Sequence, residues 1–394
     1  MKKKIAITFP HLHDFGGGEI FCEYVANYLN KYYEVHLYYY NYKNINKKLR
    51  IDKNIILNPV QSSNFIVNIF CKNFISIAQL YLIFYLRKFN FFFIFSAAGE
   101  FFSNNKTYQY IHHPFFSLNP IHYLSLGLKK REVLKIFLRF LLSILARTLI
   151  VINKKKFSKN ITFVNSEWIK NRYYDIYLNK NINLIYPTFK IPKFYNQSFE
   201  NFEKRNNDFV ILGRVSRDKN TIEGINFFLD LKHNNPDLKI GKLHIIGPIQ
   251  KNENYFINKF KFLYRDHCKF YGYVTIKKRD SILKKSKYGI HFFKGEHFGR
   301  SILEMQKLGL IVFAHDSGGS REILVDYRQK YSSFFELSNN INNVMMNKHV
   351  RKILITKIKN NFSNKFTDFE FRNKLEKYLI NDKKNKKESI NNRS

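Results

Sequence analysis

The feature that most constrains this chain is an alternation that begins twice. Lys4 to Phe9 is an apolar run of buried-strand type, His11 to Glu19 is a loop containing Gly16, Gly17 and Gly18, and Ile20 to Leu29 has apolar residues at helical spacing. Strand, glycine loop and helix open a nucleotide-binding α/β domain, because adjacent glycines let backbone N–H groups approach a phosphate closely. The spacing is not GxGxxG and no Walker lysine follows, which argues against a dinucleotide site. The alternation restarts at Phe209 to Leu212, a strand, followed by the polar loop Gly213 to Asn220 and a helix through Leu231. At 394 residues the chain is long for one core. The expected fold class is therefore α/β: two facing Rossmann-like domains with parallel sheets and a cleft between them.

Further strands are expected at Val35–Tyr40, Phe91–Ser96, Thr107–Ile111, Ile161–Val164 and Ile182–Ile185, then at Lys242–Gly247, Lys269–Tyr273, Tyr288–Phe292 and Ile311–Ala314. Pro187, Pro192 and the polar run to Asn207 punctuate the middle. The expected division is 1–186 for the first domain, 187–207 for a linker and 208–364 for the second domain. A last helix, 365–380, is expected to pack back toward the first domain, with 381–394 a disordered basic tail.

Composition narrows the function classes. Lys and Arg number 67 against 30 Asp and Glu, a formal charge of +37 that attracts nucleic acid, acidic lipid or phosphorylated substrates. Much of the excess is Lys among Asn, Ile, Phe and Tyr, the usage an AT-biased genome also produces. Nucleic acid is disfavoured, since no binding motif appears and the aromatics do not interleave with Arg and Lys on one strand face. Cys22, Cys71 and Cys268 are widely spaced and lack a CxxC pair, so neither a disulfide framework nor a zinc site is indicated. No transmembrane helix or signal peptide is expected.

One segment stands apart. From Lys129 to Lys156, Arg131, Lys135, Arg139, Ser143 and Arg147 recur every four residues among apolar neighbours, so a helix there carries a narrow, largely basic stripe. It either packs into the first domain or offers its edge to a membrane interface.

The candidate chemistry gathers at loop ends. Glu296 and Glu304 stand eight residues apart around Gly299, where a helix start has free backbone N–H groups that favour an anion. Taken alone, both also read as ordinary acids complementing a helix dipole. Arg214 and Lys219 follow the first strand of the second domain, and Arg with Lys suits a diphosphate. His112 closes the strand Thr107–Ile111.

With these residues in hand, nearly the whole chain to about Ile380 resembles the family 4 retaining glycosyltransferases of GT-B fold. The family's Glu-x7-Glu pattern stands at Glu296 and Glu304, its basic pair at Arg214 and Lys219, and its glycine loop at Gly16-Gly17-Gly18-Glu19. The wording Glu-His-Phe-Gly at 296–299, Ala-His-Asp-Ser-Gly-Gly at 314–319, Tyr-Ile-His-His-Pro at 110–114 and Val-Asn-Ser-Glu-Trp at 164–168 is similar to the α-1,2-mannosyltransferases that extend dolichol-linked oligosaccharide from GDP-mannose. No matching motif stands between Ser117 and Lys159.

The resemblance implies a donor site in which Glu304 binds the ribose, Glu296 the sugar hydroxyls, Arg214 and Lys219 the diphosphate, and His112 the transferred sugar. Gly16, Gly17 and Gly18 approach the phosphates, Phe298 and Gly299 belong to the donor loop, and Val274 lies at the base edge. It implies a hexose, with mannose favoured, moved from GDP-mannose or a UDP-sugar to a hydroxyl of a glycan or lipid-linked acceptor. No cofactor is implied, and without an Asp-x-Asp motif no metal is implied either. The expected setting is peripheral, on the cytoplasmic face of a membrane with an anionic surface. The alternative is a non-catalytic protein of the same shape that binds a nucleotide sugar or an anionic lipid.

Overall fold

The computed structural model describes most of the chain from Lys2 to Ile380; position 1, 14–15, 42, 46, 48, 115–136, 138–140, 142–143, 146–147, 150–153, 179–180, 188–198, 200, 251–253 and 381–394 lie outside the described residues. All five positions of the expected stripe at 129–156 and the expected tail fall outside them. The chain divides into two compact units, Met1–Pro187 with Lys377–Ser394, and Thr188–Glu376.

In the first unit, β1 (Lys4–Thr8), β2 (Glu34–Tyr40), β3 (Ile56–Val60), β4 (Ile94–Ser96), β5 (Thr107–Ile111), β6 (Ile161–Val164) and β7 (Ile182–Leu184) form one sheet in the order β3-β2-β1-β4-β5-β6-β7. Every pairing is parallel. Parallel sheets are covered on both faces, so their strands are apolar throughout instead of alternating. Ile5, Ala6 and Ile7 of β1 are all fully buried. Helix Gly17–Leu29 lays Phe21, Cys22, Val25, Ala26, Tyr28 and Leu29 inward at helical spacing.

β3 and the later helix Ile75–Leu86 carry no legible sequence signal, each for a physical reason. β3 contains Pro59, which only an edge strand tolerates, and β3 pairs with β2 alone. Helix Ile75–Leu86 is apolar nearly all round, so no amphipathic period marks it.

The chain returns to the first unit at its end. Tyr33 donates its hydroxyl to Leu379 O at 2.6 Å and Tyr108 to Tyr378 O at 2.9 Å, while Tyr378 donates to Asn183 Oδ1 at 2.7 Å. Free carbonyls at the C-terminal end of helix Asp368–Leu379 thus find donors in Tyr108 of β5 and in Tyr33, just before β2.

In the second unit, β8 (Asn206–Leu212), β9 (Leu243–Ile246), β10 (Cys268–Gly272), β11 (Ser286–His291), β12 (Ile311–His315) and β13 (Lys330–Tyr331) form a parallel sheet ordered β10-β9-β8-β11-β12-β13. Part of the expected linker 187–207 is instead built into this unit. Phe202 is buried and Glu203 takes a two-point pair from Arg351, Nε at 2.9 Å and Nη2 at 3.1 Å. Gly289 of β11 brings helix Arg300–Lys307 close, since a Cβ there meets Met305 Sδ at 2.7 Å.

Both units show the two Rossmann-like parallel sheets expected, and in both the strand order reverses beside the unit's first strand. That reversal lies between β1 and β4 in one unit and between β8 and β11 in the other. Open α/β sheets bind ligands at the carboxyl ends of the strands flanking such a point.

Candidate active site

At the carboxyl end of β8 the chain makes a one-turn helix, Arg217–Lys219, and Asn220 then adopts φ +50° before helix Thr221–Asn234. Asn tolerates that left-handed conformation better than most residues. Its side chain donates to Phe292 O at 3.3 Å, fastening this loop to the end of β11. Lys219 is thereby placed with Nζ 3.1 Å from Glu296 Oε2 and 3.6 Å from the centroid of the Phe293 ring. The sequence-expected Lys219 and Glu296 thus meet directly at the switch point.

A third group, not singled out from the sequence, completes the cluster. His291, the last residue of β11, places Nε2 2.9 Å from the same Glu296 oxygen. Burial pulls the His291 pKa down to about 4, the Glu296 charge opposing that pull and the Lys219 charge adding to it. The imidazole is therefore neutral at pH 7, and Nε2–H donates a hydrogen bond to the carboxylate instead of forming an ion pair. Burial works to raise the Glu296 carboxyl pKa, but Lys219, His291 and His297 together outweigh it and hold the group below its usual range.

The sign of the pH effect follows. An unfolded His binds a proton below about pH 6.5 while folded His291 does not until about pH 4, so over that window the unfolded state gains protons and stability falls on acidification. The loss attributable to His291 is about 3 kcal/mol at most. Urea unfolding of wild type and His291→Phe at pH 7 and pH 4.5 checks this: the variant should lose distinctly less stability between the two pH values.

Glu304 is held as expected on a helix, Arg300–Lys307, which begins after Gly299 at φ +108°. Two arginines not singled out from the sequence grip its carboxylate: Arg279 Nη1 on Oε2 at 3.1 Å and Arg300 Nε on Oε1 at 3.0 Å. Each oxygen keeps a second lone-pair site, so the carboxylate is positioned while remaining able to accept from a diol. Phe298 is only 5% exposed and packs on Phe366 at a centroid separation of 5.9 Å, so its ring serves the core and its backbone faces the loop. Arg214 is at the surface with Nη2 2.7 Å from Asp218 Oδ2, apart from the Lys219 cluster. Val274 is half-buried just beyond β10.

The loop Gly295–Gly299 is braced by residues Asp316 to Ser320. Gly295 N–H donates to Ser317 Oγ at 2.8 Å, and Gly319 N–H donates to Glu296 O at 2.6 Å. Gly318, at φ +68°, lies so close that a Cβ on it would sit 2.3 Å from Glu296 O. The backbone of Glu296 is thus fixed from one side and its carboxylate from the other.

In the first unit, Gly16 caps helix Gly17–Leu29, and its N–H donates to Glu19 Oε2 at 3.0 Å. Gly17 and Gly18 form the first helical turn. His112 follows β5, donates Nε2–H to Ala97 O at 3.1 Å, and stands edge-on to Phe21 at 4.8 Å. These residues sit on the strand ends around the switch point of their own sheet.

Residues 194–361 match the protein family described as "Glycosyl transferases group 1". The chain is 24% identical over 189 residues to the GDP-Man:Man(3)GlcNAc(2)-PP-Dol alpha-1,2-mannosyltransferase of Mus musculus, a match covering 44% of this chain and 38% of that protein. The Homo sapiens enzyme of that name is 22% identical over 230 residues, covering 54% of this chain and 46% of its own length. The chain thus matches less than half the length of these curated relatives.

Among solved structures, Anabaena HepE in complex with UDP and glucose aligns with a TM-score of 0.65 at 14% identity, covering 96% of this chain and 99% of that one. WaaG, a glycosyltransferase involved in lipopolysaccharide biosynthesis, aligns with a TM-score of 0.68 at 11% identity, covering 95% and 100%. The fold is that of the GT-B glycosyltransferases, and the family match falls within the second unit. Its local likeness is to α-1,2-mannosyltransferases that use GDP-mannose.

Proposed function

We propose that this chain is a retaining, metal-independent hexosyltransferase that moves mannose from GDP-mannose to a hydroxyl of a glycan or lipid-linked acceptor. The observation that carries the reading is the meeting of Lys219 and His291 on one oxygen of Glu296, at the switch point of the second sheet. Glu296 is kept ionised and immobile there, a fixed acceptor for sugar hydroxyls. Lys219 supplies the positive charge that a leaving diphosphate needs, with Arg214 available once it exchanges Asp218 for phosphate oxygens. Glu304, aimed by Arg279 and Arg300, takes the ribose diol, and Val274 and the backbone of Phe298 and Gly299 border the donor. His112 and the Gly16 to Gly18 loop serve the transferred sugar and the phosphates.

In the step itself, the bond from the anomeric carbon to the diphosphate oxygen breaks. The acceptor oxygen bonds to the same face of that carbon, and its proton passes to the departing phosphate oxygen. No protein nucleophile is needed, because fixed cations stabilise the charge that builds on the leaving group.

The mannosyltransferase matches favour mannose and GDP over a UDP-sugar. The test is a donor panel of GDP-mannose, UDP-glucose and UDP-galactose with lipid-linked and free glycan acceptors, read by mass spectrometry and by the anomeric configuration of the product. The expected result is α-linked mannose transferred at an unchanged rate in EDTA. An inverted linkage, or activity abolished by EDTA and restored by a divalent ion, overturns the mechanism; donor binding without transfer or hydrolysis assigns a binding protein instead.

A further inference from the structure

Phe292 and Phe293 are adjacent phenylalanines just past β11, and they take different roles. Phe292 belongs to the core. It is buried against helix Thr221–Asn234, where a Cβ on Gly224 would meet its ring at 2.3 Å, and its ring lies 6.2 Å from Phe227 and 6.0 Å from Phe334. Phe293 is half-buried, and the Lys219 ammonium stands over its face with Nζ 3.6 Å from the centroid. At that distance the negative face of the ring attracts the charge directly.

The ring is held in place from two directions. Asn220 donates its side-chain N–H to Phe292 O at 3.3 Å, so consecutive residues of the loop after β8, Lys219 and Asn220, grip consecutive residues after β11. On the other side, the His297 ring stands perpendicular to that of Phe293, at 89° and 6.5 Å between centroids. The Lys219 ammonium is therefore fixed between an aromatic face and Glu296 Oε2, 3.1 Å away.

An aromatic face does here what a second carboxylate could not. A lysine ammonium has three N–H donors, and the Glu296 oxygen takes one of them. A second acid would take another and cancel the charge. The ring has no net charge and demands no directed hydrogen bond, so it holds the cation while leaving charge and donors for an incoming anion. Its attraction reaches to about 6 Å from the centroid, so Nζ can move about 2 Å off Glu296 and still be held.

We propose that Phe293 is a positioning residue for diphosphate binding. Its ring holds the Lys219 ammonium while the Glu296 contact is exchanged for a phosphate oxygen, and that exchange frees Glu296 Oε2 to accept from a sugar hydroxyl. The proposal rests on the donor reading of Lys219 and Glu296, and goes beyond it by naming the group that keeps the cation in place during the exchange.

The test replaces Phe293 by mono-, di- and trifluorophenylalanine through nonsense suppression, which nearly preserves the ring's shape while weakening its negative face step by step. Phe293→Leu keeps apolar bulk without a face, and Phe293→Tyr keeps the face. Affinity for GDP is read by calorimetry and kcat by transfer from GDP-mannose. Phe293→Leu should weaken GDP binding and lower kcat by about three- to tenfold each, Phe293→Tyr should stay near wild type, and the logarithm of each quantity should fall with every fluorine added. In a Lys219→Ala background, Phe293→Leu should change neither. A flat fluorine series, or a Phe293→Leu loss that persists without Lys219, overturns the proposal. A wild type that binds no GDP overturns the donor reading and this proposal together. A wild type that binds GDP without transferring sugar overturns the transfer reading alone, and the fluorine series in GDP affinity then decides the role of Phe293.

Discussion

Lys219→Ala should lower kcat for sugar transfer by about 10²- to 10³-fold, the loss seen when one charge-stabilising group is removed from a transition state. Two effects act together. On the proposed mechanism the departing diphosphate loses a fixed cation, and Glu296 loses the charge that most strongly offsets its own burial. The carboxylate, 15% exposed, then keeps only the neutral His291 hydrogen bond at Oε2 among the contacts described above, and its proton affinity rises. The variant should accordingly gain an acid limb in its pH–rate profile at higher pH than wild type. Lys219→Arg should recover part of the rate by restoring charge without matching the single-point contact. Steady-state kinetics with GDP-mannose decide the matter: wild-type turnover in Lys219→Ala would remove Lys219 and Glu296 from the donor site.

Gly318→Ala should both destabilise the second unit and abolish transfer, although residue 318 offers no side chain to any ligand. A Cβ there collides with backbone, 2.3 Å from Glu296 O and 2.7 Å from Glu296 N, and backbone cannot swing aside as a side-chain tip can. The left-handed φ of +68° adds strain for any residue with a Cβ. Together these should cost about 3 kcal/mol, lowering the melting temperature by roughly 6–12 °C for a unit of this size. Gly213→Ala is the comparison: its φ is +143° but nothing lies within 4 Å, so it carries strain without collision. A smaller loss of stability and activity in Gly213→Ala identifies the brace under Glu296; equal losses would reduce the effect to backbone strain alone.

The sequence makes the architecture legible because both halves open with a buried strand that runs into a loop and helix, and because the apolar strands of a parallel sheet stand out between polar loops. Pairing across the chain is a different matter. That Lys219 and Glu296 converge follows from both being placed at strand ends beside one switch point. His291 is hidden as the final residue of an apolar run, and its role appears only when β11 ends beneath Glu296. Arg279 and Arg300 lie 25 and 4 residues from the carboxylate they hold, and nothing in a run of basic residues says which one folds back on Glu304. Ser317, Gly318 and Gly319 were visible as wording, but their work in bracing a loop some twenty residues earlier is a matter of three-dimensional approach.

The returning chain end sets an order of events. The first unit draws Tyr33, Tyr108 and Asn183 onto Tyr378 and Leu379, while the second lies wholly within Thr188–Glu376. During synthesis the unit that begins first is therefore finished last. The strands of the second unit, β8 to β13, are all made before helix Asp368–Leu379, and the first unit gains its contacts with Tyr378 and Leu379 only after them. Completion of the first unit is thereby coupled to the synthesis of Tyr378 and Leu379, made after the whole of the second unit.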